Sequence, residues 1–417
     1  YLIMKKSIFV VLLSLLFCTG CHSSNDGNGA GDNTSMSSRI VSISGQDLIQ
    51  ADGSKLFVQG VNLGNWLLPE GYMWGFTKVS PHEIDETFRQ LTGDEFTDNF
   101  WKQFKENYIT LEDLRFIRKQ GCNTVRMPLN YRLFTNEKYM GLADSQEGFQ
   151  LIDKMVKWCH ETGLYLILDM HAAPGGQTGE NIDDSDGYPY LYESEEYQQQ
   201  LCTLWQQIAE RYKDEPIILG YELFNEPIGD NFKNLYDKLE PTYIRVAKAI
   251  REVDKNHIVM LDGASYGTDF SMFSDFTFDD KLVYACHDYT GKSATLDNFV
   301  AFRKKSGKPM ILTEYGHASW EYLTTQAKRY KENNIGYTIW PYKMIATSSS
   351  FVGIQRPKNW DKIIEFQKAP RNTPQEIEEA KAKCGTEVAK KAMEEYLELI
   401  KLENCDIYTG FIKSLGL

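Results

Sequence analysis

Eight short apolar runs recur along this chain, each followed by a stretch with helical spacing, and that alternation most narrows the fold. The runs are Val58–Leu63, Thr124–Leu129, Leu164–Met170, Ile217–Phe224, Ile258–Asp262, Leu282–His287, Met310–Glu314 and Tyr337–Trp340. Most are continuously apolar and do not alternate with polar residues, the pattern of parallel strands covered on both faces. Between them, Phe149, Ile152, Met155, Val156 and Cys159 recur at helical spacing, and Gly163 stops the run. Leu235, Leu239, Tyr243, Val246, Ile250 and Val253 do the same, as do Tyr322, Leu323, Ala327 and Tyr330. Strand–helix alternation repeated eight times predicts an α/β chain folded as a (β/α)8 TIM barrel in one domain. An open doubly wound sheet is the alternative, and it lacks a Gly-x-Gly-x-x-Gly turn after the first strand. Residues 39–60 read as an N-terminal β-hairpin with Asp52-Gly53 at its turn. The charge-mixed segment from Thr373 to Leu402 reads as the last barrel helix with its lead-in.

Active sites of such barrels form at the C-terminal ends of the strands. The residues there are Asn62 to Trp66 and Glu70 after the first run, then Arg126 to Asn130, then Asp169-Met-His171 with Pro174 to Gln177. Asn225-Glu226-Pro227 follows the fourth run, His287-Asp-Tyr289 the sixth, Glu314 the seventh and Trp340 the eighth. Two carboxyl groups with no metal cluster between them suit glycoside hydrolysis, where one must be a protonated acid and the other ionised. Arg126 and Tyr289 are placed to hold Glu314 ionised, Asn225 to bond a sugar 2-hydroxyl, and Trp340 to stack beneath a sugar ring. His171 and His287 read as hydrogen-bond partners in the same site. With His317 they form a conceivable metal triad, but no His-x-His follows the first strand, so neither metal nor cofactor is expected. His82, His160 and His257 fall outside the strand-end face. Tyr72, Trp74, Trp320 and Trp360 are candidates for outer sugar contacts or for packing under loops, and the same choice holds for Tyr188, Tyr190 and Tyr192.

The ordered set Arg126, His171, Asn225-Glu226, His287, Tyr289, Glu314 and Trp340 resembles the active site of glycoside hydrolase family five, over residues 58 to 343. By this resemblance Glu226 is the acid/base and Glu314 the nucleophile of a retaining mechanism. Gly60 to Leu67 with Glu70, and His171 to Gln177, resemble the exo-β-1,3-glucanase branch, in which the Glu matching Glu70 binds the terminal sugar. The loop then departs: Gly179 to Gly187 is longer, so that branch's sugar-binding acid falls on either Asp183 or Asp184. The resemblance implies an oligo- or polysaccharide substrate. β-1,3-glucan and short β-glucosides come first, with endo-acting β-1,4-glucanase or mannanase activity as the alternative. A non-catalytic glycan-binding protein is the rival from another class, and transglycosylation shares the same covalent intermediate.

Composition supports a neutral ligand. Formal net charge is −13 and no Lys/Arg cluster tracks phosphates, which argues against nucleic acid and anionic membrane surfaces. The 24 Tyr, 22 Phe and 8 Trp fit either a filled core or sugar platforms. Lys5-Lys6, an apolar run from Ile8 to Phe17 and the Thr19-Gly20-Cys21 ending, with Met4 as the start, resemble a bacterial lipoprotein signal over residues 1–21. Cys21 is then the lipidated residue, residues 22–38 a Gly/Ser/Asn/Asp-rich tether, and 39–417 the hydrolase domain. This predicts an exported monomer held to the cell envelope by its lipid alone, with plain secretion as the alternative. Cys122, Cys159, Cys202 and Cys286 read as small buried hydrophobes, while Cys384 and Cys405 are free to pair if the protein is exported.

Overall fold

The computed structural model describes residues 39–417 except Gly291 and His317. The signal, the tether, Cys21 and His317 therefore lie outside the described residues. Eight parallel strands close into a barrel: β1 (Gln59–Asn62), β2 (Thr124–Asn130), β3 (Tyr165–Ala172), β4 (Ile218–Glu222), β5 (Ile258–Asp262), β6 (Leu282–Asp288), β7 (Met310–Gly316) and β8 (Gly336–Trp340). Each overlaps the run that predicts it. Closure comes from β8 pairing with β1, Tyr337 opposite Gln59 and Ile339 opposite Val61. The predicted helices stand at Glu147–Thr162, Tyr236–Val253 and Trp320–Glu332. Gly163 ends the first of these in the left-handed region at φ 67°, a conformation open to glycine without steric cost.

The N-terminal hairpin is a three-stranded antiparallel ribbon, Ser42–Ser44, Asp47–Ile49 and Lys55–Leu56. The Asp52-Gly53 turn is where the sequence places it, closed by Ser54 N–H donating to Asp52. A second turn at Gly45-Gln46 escapes notice because the strands it joins are three residues long. Val41, Leu48 and Leu56 of the ribbon cluster with Ile167, Leu219, Met260, Val283 and Ile311 from the barrel strands. The ribbon thereby packs against apolar barrel side chains, leaving the polar chemistry to the other end.

The C-terminal segment also departs from expectation. Thr373 to Leu402 is two helices, Pro374–Cys384 and Thr386–Leu399, broken at Gly385 (φ 82°). The second packs on the helices Pro81–Thr92 and Asp94–Asn107 that precede β2. The helix beside Trp320–Glu332 is instead Thr409–Ser414. Tyr337 on β8 fixes that terminus by donating its hydroxyl hydrogen to Leu415 O at 2.5 Å. Charge-mixed helices look alike in sequence, and only the partner's apolar face decides where each docks.

Much of the aromatic content is core. Trp74 is fully buried among Phe88, Phe100, Trp101, Phe104, Trp360 and Tyr396 at ring-centroid distances of 5.0 to 6.4 Å. Such pairs add roughly 0.5–1.5 kcal/mol each beyond the area they bury. Trp74 donates to Asn65 Oδ1 and Trp360 to Trp74 O, so neither is an outer sugar platform. All six described cysteines are free thiols, Cys384 and Cys405 included; the Cys405 thiol faces the Leu399 and Lys401 carbonyls. Among the described residues no helix is long and apolar enough to cross a membrane.

Candidate active site

An ionisable residue inside an apolar strand must find partners, because an isolated buried charge is prohibitively costly. Arg126, fully buried on β2, organises the strand ends for this reason. Its Nε and Nη2 grip the two oxygens of Glu222 at 2.8 Å each, a forked pairing that a lysine cannot make. Nη1 donates to Glu314 Oε1 at 2.7 Å and to Asn62 Oδ1 at 2.9 Å. Nη2 also reaches Asn225 Oδ1 at 2.7 Å and Asp169 Oδ2 at 3.0 Å. Burial works against charge on Glu222, yet the Arg126 fork holds its carboxyl below the usual range.

Glu314 reaches the cleft through a bulge in β7. Leu312 lies opposite Cys286 and Glu314 opposite His287, so Thr313 is an extra residue in the ladder. This sets Thr313 Oγ1 3.2 Å from His287 Nε2 while Glu314 stays within reach of Arg126. Tyr289 donates to the other Glu314 oxygen at 2.8 Å. Glu314 thus accepts hydrogen bonds at both oxygens, one of them from a fixed positive charge.

Glu226 stands differently. It follows β4 in the left-handed region (φ 45°), and its N–H donates to Asp262 Oδ2 at 3.0 Å. Its carboxyl lies 2.7 Å from His287 Nδ1. Burial pushes Glu226 up to about 7, against the nearby charges of His171 and Arg126 and with help from Glu222. Burial drives His287 down to about 4, so the imidazole beside Glu226 is neutral at pH 7. His171 is the opposite case. Burial opposes its charge, but Asp169 Oδ2 at 2.6 Å from Nδ1 outweighs burial and raises it to about 10. Glu226 and Glu222, and likewise the two imidazoles, are thereby shifted in opposite directions by their surroundings.

The cleft above these groups has a volume of about 680 Å³. Glu70, Tyr72, His171 and Trp340 line one side; Glu226, His287, Tyr289 and Glu314 lie among the remaining lining residues. The Trp340 ring is stacked on His171 at 5.3 Å and 6°, and its Nε1 donates to Tyr72 Oη at 2.6 Å. Gly64 admits that ring: a Cβ there would sit 2.6 Å from it. Burial raises Glu70 to about 7, moderated by His171, whose Nε2 is 3.7 Å away. All the predicted strand-end residues, Glu70, Arg126, His171, Asn225, Glu226, His287, Tyr289, Glu314 and Trp340, therefore converge; Arg126 and Asn225 support the floor and the others line the cleft.

Other expectations resolve differently. Neither Asp183 nor Asp184 faces the cleft. Asp183 accepts from the backbone of Thr178, Gly179 and Ser185, and Asp184 binds His82, Asn130 and Arg132. Tyr192 donates to Gln177 O, and Tyr188 packs on Tyr190 and Phe232, so all three tyrosines hold the loop itself. Glu222 and Asp262 escape the sequence reading, although an acid within or closing an apolar run was the available signal. Burial and the charge of Glu222 push Asp262 well above the carboxylate range. One ligand-capable atom each from Glu226, His287 and Glu314 lie within 4.8 Å of one another, close enough to contact a single ion. The Arg126 guanidinium on Glu314 opposes a cation there by direct repulsion.

Buried carboxyls thus face one another at the C-terminal rim of a closed eight-stranded barrel. Residues 83–344 match the family described as Cellulase (glycosyl hydrolase family 5), and the chain belongs to that family. It is 32% identical over 252 residues to a beta-xylosidase of Phanerodontia chrysosporium, a match covering 60% of this chain and 52% of that protein. It is 26% identical over 306 residues to the probable glucan 1,3-beta-glucosidase A of Aspergillus fumigatus, covering 67% and 72%. The chain thus spans little more than half the length of the first of these relatives. In structure it resembles an endogalactoceramidase with a TM-score of 0.55 at 18% identity, covering 73% of this chain and 75% of the other, a likeness of fold.

Proposed function

We propose that this chain is a retaining β-glycosidase acting on β-glucan or β-glucoside linkages, with β-1,3-glucan attacked from its end as the first substrate to try. The observation that carries the mechanism is the approach of Glu226 and Glu314, whose nearest oxygens lie within 4.8 Å. Retaining enzymes keep their two carboxyls about 5–5.5 Å apart, whereas inverting ones leave about 6.5–9.5 Å for a water.

In the first step Glu226 gives its proton to the glycosidic oxygen as the C1–O bond breaks, and a Glu314 oxygen forms the glycosyl ester. In the second, water attacks C1, loses its proton to Glu226, and Glu314 leaves. Burial supplies the proton by holding Glu226 near 7, and Arg126 with Tyr289 steadies the negative charge of Glu314. Trp340 supports the sugar ring, Asn225 faces its 2-hydroxyl, and Glu70 with His171 binds the outer hydroxyls. No step calls for a cofactor.

Glu226→Gln should lower kcat/KM on an unactivated oligosaccharide by roughly 10²–10⁴-fold, the usual worth of general acid catalysis. On a dinitrophenyl glycoside, whose leaving group needs no proton, glycosyl-enzyme formation should survive. In the wild type, activity should fall as pH rises through about 7, where Glu226 loses its proton. Retention of anomeric configuration in the first product, read by proton NMR, accompanies this. Inversion, or equal losses on both substrates, would remove Glu226 and Glu314 from these roles.

The relative named glucan 1,3-beta-glucosidase supports the β-1,3 choice, and the one named beta-xylosidase adds an aryl β-xyloside to the panel. Product sizing on laminarin, a β-1,4-glucan and mannan separates release of single sugars from mixed oligomers. Export with a lipid on Cys21 belongs to the same proposal. Radiolabelled palmitate should enter the wild-type chain in a bacterial host and be absent from Cys21→Ala; equal labelling of both would refute the anchor.

A further inference from the structure

A neutral imidazole carries one N–H and one bare nitrogen, and the hydrogen bonds at the two nitrogens decide which is which. His287 sits between two oxygens that make the choice matter. Its Nδ1 lies 2.7 Å from Glu226 Oε1 and its Nε2 3.2 Å from Thr313 Oγ1. The loop after β5 presses on the ring. Gly267, at φ 74°, lies so close that a Cβ there would be 3.0 Å from His287 Cγ. With the ring confined, the freedom that remains is the position of one hydrogen.

Thr313 constrains that hydrogen. It is the extra residue of the β7 bulge and is fully buried, and its carbonyl is pinned by Asn62 Nδ2 at 2.8 Å and by the Thr338 hydroxyl. Among the described residues its own hydroxyl has one hydrogen-bond partner, His287 Nε2. A hydroxyl has one hydrogen to donate, and a buried donor without an acceptor is costly. If Nε2 carried the imidazole hydrogen, the Thr313 hydroxyl could only accept, and its own hydrogen would have no acceptor. Donation from Thr313 to a bare Nε2 satisfies both groups and puts the hydrogen of His287 on Nδ1. The neighbouring acid does not compete. Asp262 Oδ2 is 3.6 Å from Nε2, beyond ordinary hydrogen-bond range, and it already accepts Glu226 N–H at 3.0 Å. Burial and the charge of Glu222 also favour the neutral form of Asp262.

We infer that Thr313 is a positioning residue for the acid: it fixes His287 as the Nδ1–H tautomer, which donates to Glu226 Oε1 and leaves the catalytic proton to Oε2. With the opposite tautomer, Nδ1 would accept a hydrogen bond from a proton on Oε1, aimed at the imidazole and away from the bond to be broken. Oε2 accepts from none of the described residues, and Glu226 lines the cleft. In the first step Oε2 gives its proton to the leaving oxygen, and in the second it takes one from water. His287 gains and loses none in either step. This rests on the reading of Glu226 as the acid/base.

The direct test is nitrogen NMR of the full chain labelled with 15N-histidine, which separates a protonated ring nitrogen from a bare one. At pH 7 the wild-type His287 signals, assigned by their loss in His287→Gln, should show Nδ1 protonated and Nε2 bare. A protonated Nε2 would overturn the inference, and this reading needs no Thr313 variant to fold. Thr313→Val keeps the shape and removes the hydroxyl. It should move His287 toward the Nε2–H tautomer. It should also lower kcat/KM by about 10-fold, the size of one buried hydrogen bond, on the glucotriose, β-1,3- or β-1,4-linked, that the wild type cleaves faster. On dinitrophenyl β-glucoside, whose leaving group needs no proton, kcat/KM reports the first step and should stay within about twofold. Thr313→Ser, which restores the hydroxyl, should cleave the trisaccharide within about threefold of the wild type. Equal losses on both substrates would make Thr313 a packing residue, and an undiminished trisaccharide rate would leave its hydroxyl without a role; either overturns the inference. Glu226→Gln, run in parallel, separates the two ideas. If it loses the trisaccharide and keeps the dinitrophenyl glucoside while Thr313→Val shows no selectivity, only the role of Thr313 fails. If Glu226→Gln cleaves the trisaccharide normally, the acid assignment and the role of Thr313 fall together.

Discussion

Glu314→Gln should lower turnover by roughly 10⁴-fold or more, the order of loss when the nucleophile of a covalent mechanism is removed. The variant should stay folded, because an amide oxygen still accepts from Arg126 and the amide fills the same volume. Its melting temperature is the control. The direct readout is the covalent intermediate. A 2-deoxy-2-fluoro glycoside with a good leaving group slows the second step, so intact-protein mass spectrometry should show one glycosyl adduct on the wild type and none on Glu314→Gln. Peptide mapping should place the adduct on Glu314 within Met310–Gly316. An adduct on Glu226 would reverse the roles of the two carboxyls, and a wild type that turns over and never labels would remove the covalent intermediate.

Arg126→Met should damage both stability and activity. Removing the guanidinium leaves Glu222, Asp169 and Glu314 buried without the charge that compensates them. Breaking one buried pair costs about 3–5 kcal/mol, so the loss here should reach at least that range. Calorimetry should show a melting temperature lowered by several degrees near neutral pH. The deficit should shrink in acid, because the orphaned carboxyls then take up protons and lose their charge. Arg126→Lys should recover part of the stability and little of the activity, since one ammonium cannot hold Glu222 by two bonds while also reaching Glu314 and Asn62. A Met variant as stable as the wild type would show that the carboxyls ionise little in the folded protein.

The barrel is readable because most of its strands are covered on both faces and are therefore written as continuous apolar runs. The site was readable for a related reason. At the rim of such a barrel an Arg, His or Glu interrupts apolar sequence, and burial makes that interruption costly unless it has a use. Glu226, Glu314, Arg126, His171 and His287 all announce themselves in this way. Glu222 and Asp262 carry the same signal more faintly, since neither joins a motif as visible as Asn225-Glu226-Pro227.

Elsewhere the local sequence had two readings and contacts between distant residues chose one. Trp74 and Trp360 have the composition of sugar platforms, yet they lie against each other and Tyr396. Asp183 and Asp184 stand one residue apart from the same alignment, and both are spent on backbone and side-chain partners around their loop. Cys384 ends the helix Pro374–Cys384, whereas Cys405 lies beyond Leu402–Asn404 with its thiol on the Leu399 and Lys401 carbonyls, and both are free. Which charge-mixed helix closes the barrel depends on the apolar face it meets.

From residues alone come the fold, the family and the pair of carboxyls, since apolar periodicity and the cost of buried charge are properties of short stretches. Tertiary structure decides how the two carboxyls differ. Arg126 and Tyr289 reach Glu314 only across the barrel, the β7 bulge at Thr313 aims it, and burial raises Glu226 to about 7. Those effects act over a few ångströms between strands up to 188 residues apart in the chain, a separation at which sequence carries no geometry.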